Sequence, residues 1–287
     1  MIYGCIRRTR ALIVVLVVLL GIAFAAPRRA LAERLAPGTL QDWNAFIEGV
    51  DEHIRNQAPD AVFLRSDGIP GQAERLRRGE IIVSPAAAHV PIKIRSGLIH
   101  DWIGAAFIPG ATLEDVVTVI RSYGRYKEFY KPSVVESKLI RSEDSSDQFS
   151  ILLTTKSAGK TALDADFQCS HTRLSDRRWS SITTSTRVQE VADYGTPAQH
   201  TLPEDEGKGL IWRLHTVVRL EERDGGVYIE VEAIALSREI PAGLHWLIAP
   251  MVRRVSKSSL LTSLQQTEAA TKGIRQSQTQ RTDPRGQ

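Results

Sequence analysis

A chain of 287 residues with 42% apolar and 24% charged residues has a globular composition and enough length to bury a core, which excludes fibrous and wholly disordered chains. Its formal charge of +4 suggests nucleic acid only until that charge is located. Residues 1–32 hold five of the 37 Lys and Arg and none of the 33 Asp and Glu, so the rest stands at about −1 and a basic nucleic-acid-binding domain is excluded.

Arg7, Arg8 and Arg10 form a positive start, Ala11 to Ala26 is an apolar run of 16 residues, and Ala30-Leu31-Ala32 supplies small residues for cleavage. This is the order of a secretory signal peptide, with cleavage expected after Ala32 or earlier, at Ala23-Phe24-Ala25. The run is shorter than the roughly 20 residues of a spanning helix. Arg28 and Arg29 behind it leave an uncleaved signal anchor open. The expected location is exported, periplasmic or secreted, with an inner-membrane, signal-anchored form as the alternative. Cys5 precedes the run, so Cys169 stands alone in the mature chain and no internal disulfide can form. In a strand such a cysteine reads as a small buried apolar residue.

Residues 33–88 read as an N-terminal helical extension. Trp43, Phe46, Ile47, Val50 and Ile54 recur at helical spacing. Turn signals at Ser66-Asp67-Gly68 and Ile69-Pro70-Gly71 precede a short basic helix near Gln72 to Arg78 and a strand at Ile81 to Val83. From Val90 the character changes. Pro91–Arg95 and Leu98–Ile108 read as strands, Pro109-Gly110 as a turn, and Thr112 as a helix cap with Asp115 in the capping-box position. Leu113, Val116, Val117 and Ile120 give that helix an apolar face, and Tyr123, Tyr126, Phe129 and Tyr130 carry the spacing on to Pro132.

Strands are then expected at 134–141, 149–155, 161–171, 179–191, 210–221 and 227–236, with a polar loop at 193–209. Such spacing predicts an antiparallel meander. Asp224-Gly225 is the strongest hairpin signal. A two-residue loop there sets Arg223 opposite Gly226 and Arg219 opposite Glu230. Trp212, Leu214, Thr216, Val218 and Leu220 then share a face with Ile229, Val231, Ala233 and Ala235. Arg213, His215, Arg219, Glu230 and Glu232 take the other, so one face is expected buried and one wet. Leu163, Ala165, Phe167 and Cys169 repeat the pattern against Asp164, Asp166 and Gln168. The last element is a long helix carrying Leu244, Leu247, Ile248, Met251, Val252, Val255, Leu260, Leu261 and Leu264. Beyond Lys272 the composition predicts a disordered tail, 273–287.

Motifs for catalysis are lacking. Gly159-Lys160-Thr161 ends like a P-loop, but that motif needs Gly where Thr154 stands. The seven histidines show no ligand spacing, so neither metal nor cofactor is implied. His100 and Asp101 are adjacent on a strand and point to opposite faces, which prevents a simple pair. Arg187 reads either as a solvated strand charge or as a partner for a ligand headgroup.

The strand-turn-helix from Phe107 to Val116, the segment Ser122 to Pro132, the hairpin Glu221 to Tyr228 and the stretch Leu236 to Pro241 resemble the START-like (SRPBCC) superfamily over about 90–272. Tyr123-Gly124 departs slightly from that pattern. The resemblance implies an α+β helix-grip fold: a curved antiparallel sheet wrapped around a long C-terminal helix, preceded here by the helical extension. It implies an apolar cavity between sheet and helix, and members that bind lipids, sterols, quinones or polyketides. No catalytic residue carries over. The residues expected at the site are Phe167, Cys169, His171, Arg187, Trp212, Leu214, Thr216, Ala233, Ala235, Trp246, Leu247 and Met251. The function expected is binding, with or without transport, of an apolar or amphipathic small molecule such as a lipid or quinone. A polyketide-cyclase-like enzyme, with His171 as its candidate titratable group, and an envelope interaction module are the alternatives. The partners implied are that ligand and a membrane surface, and no nucleic acid.

Overall fold

The computed structural model describes residues 33–55, 62–154, 161–239 and 245–282, with residues 245–255 and 279–282 described by their backbone alone. The signal-like segment 1–32, Gly159-Lys160 and residues 283–287 lie outside the described residues.

Strand β1 (Glu33–Arg34) leads into helix α1 (Pro37–Arg55), whose apolar stripe buries Trp43 and Ile47. A 3-10 turn (Arg65–Gly68) and helix α2 (Gln72–Arg77) precede β2 (Ile82–Pro85), β3 (Ile92–Ile94) and β4 (Gly97–Pro109). Helix α3 (Leu113–Arg121) starts with the expected capping box: the Thr112 hydroxyl accepts from the Asp115 N–H, and the Asp115 carboxylate accepts from the Thr112 N–H. This helix does not reach Pro132. Ser122 and Gly124 are weak helix formers. The aromatic segment therefore continues as a 3-10 turn (Tyr123–Arg125) and a short helix α4 (Tyr126–Phe129). The meander follows as β5 (Val134–Ser142), β6 (Ser146–Thr154), β7 (Ala162–Ser175) and β8 (Arg178–Ala192). Short pieces β9 (His200–Thr201) and β10 (Glu206–Gly207) precede β11 (Arg213–Arg223), β12 (Gly226–Arg238) and helix α5 (His245–Thr282).

The main sheet has ten strands in the order β2-β4-β12-β11-β8-β7-β6-β5, with β3 beside β4 and β9 beside β8; every pairing is antiparallel. Curved around α5, it makes the α+β helix-grip architecture expected from the order of elements. The β11–β12 hairpin has the register read from Asp224-Gly225, with Arg223 opposite Gly226 and Arg219 opposite Glu230. Among the described residues no helix is long and apolar enough to cross a membrane.

On the concave face Leu260 and Leu264 of α5 pack with Trp102, Ala106, Ile229, Val231 and the apolar side of α3. Gly104 lets them approach: a Cβ there would lie 2.7 Å from Leu260 Cγ and 2.8 Å from Leu264 Cδ1. Helix α5 runs ten residues past Lys272, where composition predicts disorder. Tertiary contact overrides composition here. Thr271 is fully buried, and Arg275 Nε lies 3.5 Å from the Asp115 carboxylate at the start of α3.

The convex face corrects a second expectation. The hairpin side carrying Arg213, His215, Arg219, Glu230 and Glu232 is not wet, because the N-terminal extension lies on it. Trp43 and Ile47 of α1 pack on Ile99, Ile234 and Leu236. Leu64 and Leu76 cover Ala105, Phe107 and Tyr228. His215 is therefore 0% exposed, with Nε2 3.2 Å from Asp51 of α1. Glu230 is 1% exposed and accepts the backbone N–H groups of Arg65 and Ser66 at 3.1 Å each. The signal for this cover lies in β4, where, His100 and Asp101 aside, Leu98 to Ile108 is apolar on both alternations, the pattern of a strand buried on both sides.

Candidate functional site

The concave face is not filled. A cavity of about 150 Å³ lies between the sheet, the aromatic segment after α3, and the part of α5 that carries Ser263 and Thr267. Two physical features define its walls. The first is aromatic. Phe149 and Phe167 are register partners across β6 and β7, and their rings stack at 5.1 Å and 11°. Tyr123 continues the stack onto Phe149 at 4.2 Å and 13°. Tyr126 meets Phe149 edge-on. Offset and edge-to-face contacts of this kind fix ring positions beyond what area burial alone does.

The second feature is a polar belt. Asp147 pairs in register with Cys169, Cys169 with Thr183, and Thr183 with Thr216. Because partners opposite one another in a ladder share a face, these side chains cross four strands in one line. Ser181 lies in the next row, opposite His171 and Val218. Asp147 ends the belt in a tight cluster. Its carboxylate accepts from Arg121 Nε and Nη2 and from the Tyr123 hydroxyl, each at 3.1 Å, and from Ser142 Oγ at 2.5 Å. Burial alone would raise its pKa, but the hydrogen bonds from Arg121, Ser142 and Tyr123 together outweigh it and hold Asp147 below the usual carboxylate value. Burial pushes the Cys169 thiol up, with the hydroxyls of Thr183 and Tyr123 opposing. Burial also drives the Tyr123 and Tyr126 phenols well above their ordinary value. The thiol and phenols are therefore hydrogen-bond donors at neutral pH.

Of the residues expected at the site, Phe167, Cys169 and Thr216 line the cavity. Leu214 and Ala235 join the apolar cluster around Phe149 and Phe167 without lining it, and Ala233 shares their face opposite Thr216. His171 faces inward but sits past the cavity, 3.4 Å from Asp147 and stacked at 6.0 Å on Trp179. Burial and the Arg121 charge push its pKa down, so at neutral pH it is uncharged.

Two expectations are overturned. Trp212 lies one residue before β11, so the strand's alternation does not reach it; it packs under α1 with Trp43 and Ile47. Arg187 is on the convex face, past a register shift at Asp166/Phe167, and pairs with Asp166 at 2.7 Å and Asp164 at 3.1 Å. It is a strand charge and reaches no ligand in the cavity. The side chains of Trp246, Leu247 and Met251 lie outside the described residues.

Sequence reasoning missed the tyrosines of the wall and the hydroxyls of β8. Tyr123, Tyr126 and Tyr130 were legible as one helical stripe, but the stripe is cut by the turn at Ser122. Ser181 and Thr183 were legible by alternation from Trp179, a bulky residue that must face inward.

No protein-family model matches the chain, and no curated protein matches it by sequence. Among solved structures it is similar to a STAR-related lipid transfer protein from Xanthomonas axonopodis, at 18% identity over 66% of this chain and 98% of that one, with a TM-score of 0.43. It is similar to human StAR-related lipid transfer protein 5, at 12% identity over 83% and 98% and a TM-score of 0.42. It is also similar to the di-domain ARO/CYC StfQ of the steffimycin biosynthetic pathway, at 14% identity over 62% of this chain and 52% of that one, with a TM-score of 0.40. The ten-stranded antiparallel sheet wrapped around a C-terminal helix over a cavity is the α+β helix-grip architecture expected from the order of elements.

Proposed function

We propose that this protein binds an apolar or amphipathic small molecule, of the lipid or quinone kind, in the cavity between the concave face and α5. The observation that carries the reading is the cavity itself: an apolar, aromatic-walled space with a few placed hydroxyls, the usual make-up of a small-molecule pocket. The names of the similar structures, lipid transfer proteins among them, run in the same direction. The cyclase reading gains less support. Burial holds the thiol and phenols on the wall protonated, and the aspartate beside them is spent on Arg121. These groups bind and orient; none is poised to take a proton.

We further propose that the chain is exported, on the strength of its first 32 residues, and that it exchanges its ligand at a membrane surface. N-terminal sequencing of the protein from a fractionated host tests export; recovery of an intact Met1 in the cytoplasm would refute it. For the ligand, the full chain is purified from a membrane-containing host and extracted for mass spectrometry, native and denatured. A stoichiometric apolar compound is expected. Thr216→Trp, which fills the cavity from β11, should remove both that compound and the uptake of an apolar fluorescent probe. An empty wild-type protein that takes up no probe would overturn the reading.

A further inference from the structure

The cavity is small, flat-walled and free of charge among its described lining residues, and these three properties together narrow what it can hold. Its volume of about 150 Å³ is well below a drug-sized pocket, which runs from roughly 300 Å³ upward. An engineered apolar cavity of about this size takes up benzene. The wall made by Tyr123, Phe149 and Phe167 is a continuous stack of near-parallel rings. None of the described residues that line the space is charged.

One buried hydroxyl on its wall lacks a strong partner. The hydroxyls of Tyr123, Tyr126 and Tyr130 are engaged with Asp147, the Ile120 carbonyl and Thr267. Ser181 is 2% exposed and faces the cavity from β8; its Oγ has no partner at full hydrogen-bond geometry and acts only on the Cys169 thiol, a weak sulfur partner. A buried hydroxyl without a strong partner is destabilising, so such groups in native proteins call for an explanation. A ligand oxygen supplies one.

Resting on the binding function proposed above, we infer that the cavity takes a neutral single ring bearing one hydroxyl or carbonyl oxygen, as in phenols and quinone heads, with the ring among Tyr123, Phe149 and Phe167 and the oxygen on Ser181 Oγ. The ring brings dispersion and apolar burial to the stacked wall. The oxygen satisfies the serine and is not itself left unpaired. A charged headgroup is rejected, because no described lining residue offers it a counter-charge and desolvation would oppose entry. Two acyl chains exceed the space.

The test uses the full chain and two probes of equal shape, p-cresol and p-xylene, titrated calorimetrically into the wild type and into Ser181→Ala. The inference expects both rings to bind the wild type. Ser181→Ala should weaken p-cresol by about five- to tenfold and leave p-xylene within about twofold. Thermal unfolding of the unliganded variant should match or exceed the wild type, since alanine removes a buried group that has no strong partner. If the substitution disrupts folding, Ser181→Cys keeps the volume and should weaken p-cresol in the same direction. If both rings bind and neither serine variant changes their ratio, the inference is overturned while cavity binding stands. If neither ring binds the wild type, the cavity-binding function fails and the inference with it.

Discussion

The two faces of the sheet are made by the same alternation and are buried by opposite chemistry. On the concave face a single long helix lies on apolar and hydroxyl-bearing side chains and leaves a hole. On the convex face the N-terminal extension lies on a field of charges, among them Glu230, His215, Arg219 and Asp101, and buries them against its own backbone and side chains. The difference teaches that alternation reports which face is apolar but not which is wet. A polar face can be as dry as an apolar one if a covering layer brings partners for most of its groups and burial shifts others, such as Asp101 and His215, toward their neutral forms.

The comparison is broken most severely by Trp43→Ala. Trp43 is 3% exposed and joins α1 to Ile99, Trp212, Ile234 and Leu236. Its loss should cost about 3–5 kcal/mol in urea unfolding, with hydrogen exchange rising first in α1. If the loss is under about 1 kcal/mol, the extension is not a structural cover. Next is Arg121→Ala, which strips Asp147 of two of its hydrogen bonds. The arginine is 34% exposed, so solvent screens part of the effect, and about 2 kcal/mol is expected. Asp147→Asn in the same background should recover most of it.

Two adjacent residues sharpen the contrast through pH. Burial, aided by the Glu232 charge and opposed by Arg65, pushes Asp101 on the convex side from 3.8 up to about 7. The folded protein then keeps a proton that the unfolded chain has lost. Stability from this site falls as pH rises from about 4 to about 7 and stays lost above. Burial pushes His100, on the concave side, from 6.5 down to about 4. Its contribution is full above about pH 6.5 and is lost as pH falls toward 4. The two faces thus oppose each other across one window. Asp101→Asn should stabilise the protein by about 1–2 kcal/mol at pH 8 and by nothing at pH 4, and His100→Gln should flatten the acid limb. Chemical denaturation across pH 4–8 reads both, and a profile unchanged by either substitution would count against the burial of these groups. The smallest effect belongs to Arg187→Ala. Its pairs with Asp164 and Asp166 are partly exposed, so a loss of less than about 1 kcal/mol is expected, with probe uptake unchanged.

Much of this architecture was legible in the residues. Asp224-Gly225 set the hairpin register, and Thr112 with Asp115 set the start of α3, because both signals are local and geometric. Phe167, Cys169 and Thr216 followed from counting by twos. What could not be read was the destination of an amphipathic helix. The stripe of α1 states that a face must be buried, not which surface receives it, and so His215 and Glu230 looked exposed. Trp212 failed for a different reason: counting by twos holds only inside a strand, and the strand begins at Arg213. Ser181 was readable as inward-facing, yet that its hydroxyl lacks a strong partner depends on the geometry of Cys169 and Thr183 across the ladder.

The missing side chain at Gly104 makes β4 the fulcrum on which the C-terminal helix rests. Leu260 and Leu264 bear on the bare backbone there, and the cavity lies beside this bearing, among residues of β6, β7, β8, β11 and β12. One methyl group added at the fulcrum would lift the rod along its length. The seat of the helix over the site is thus set by a strand that contributes none of the described lining residues.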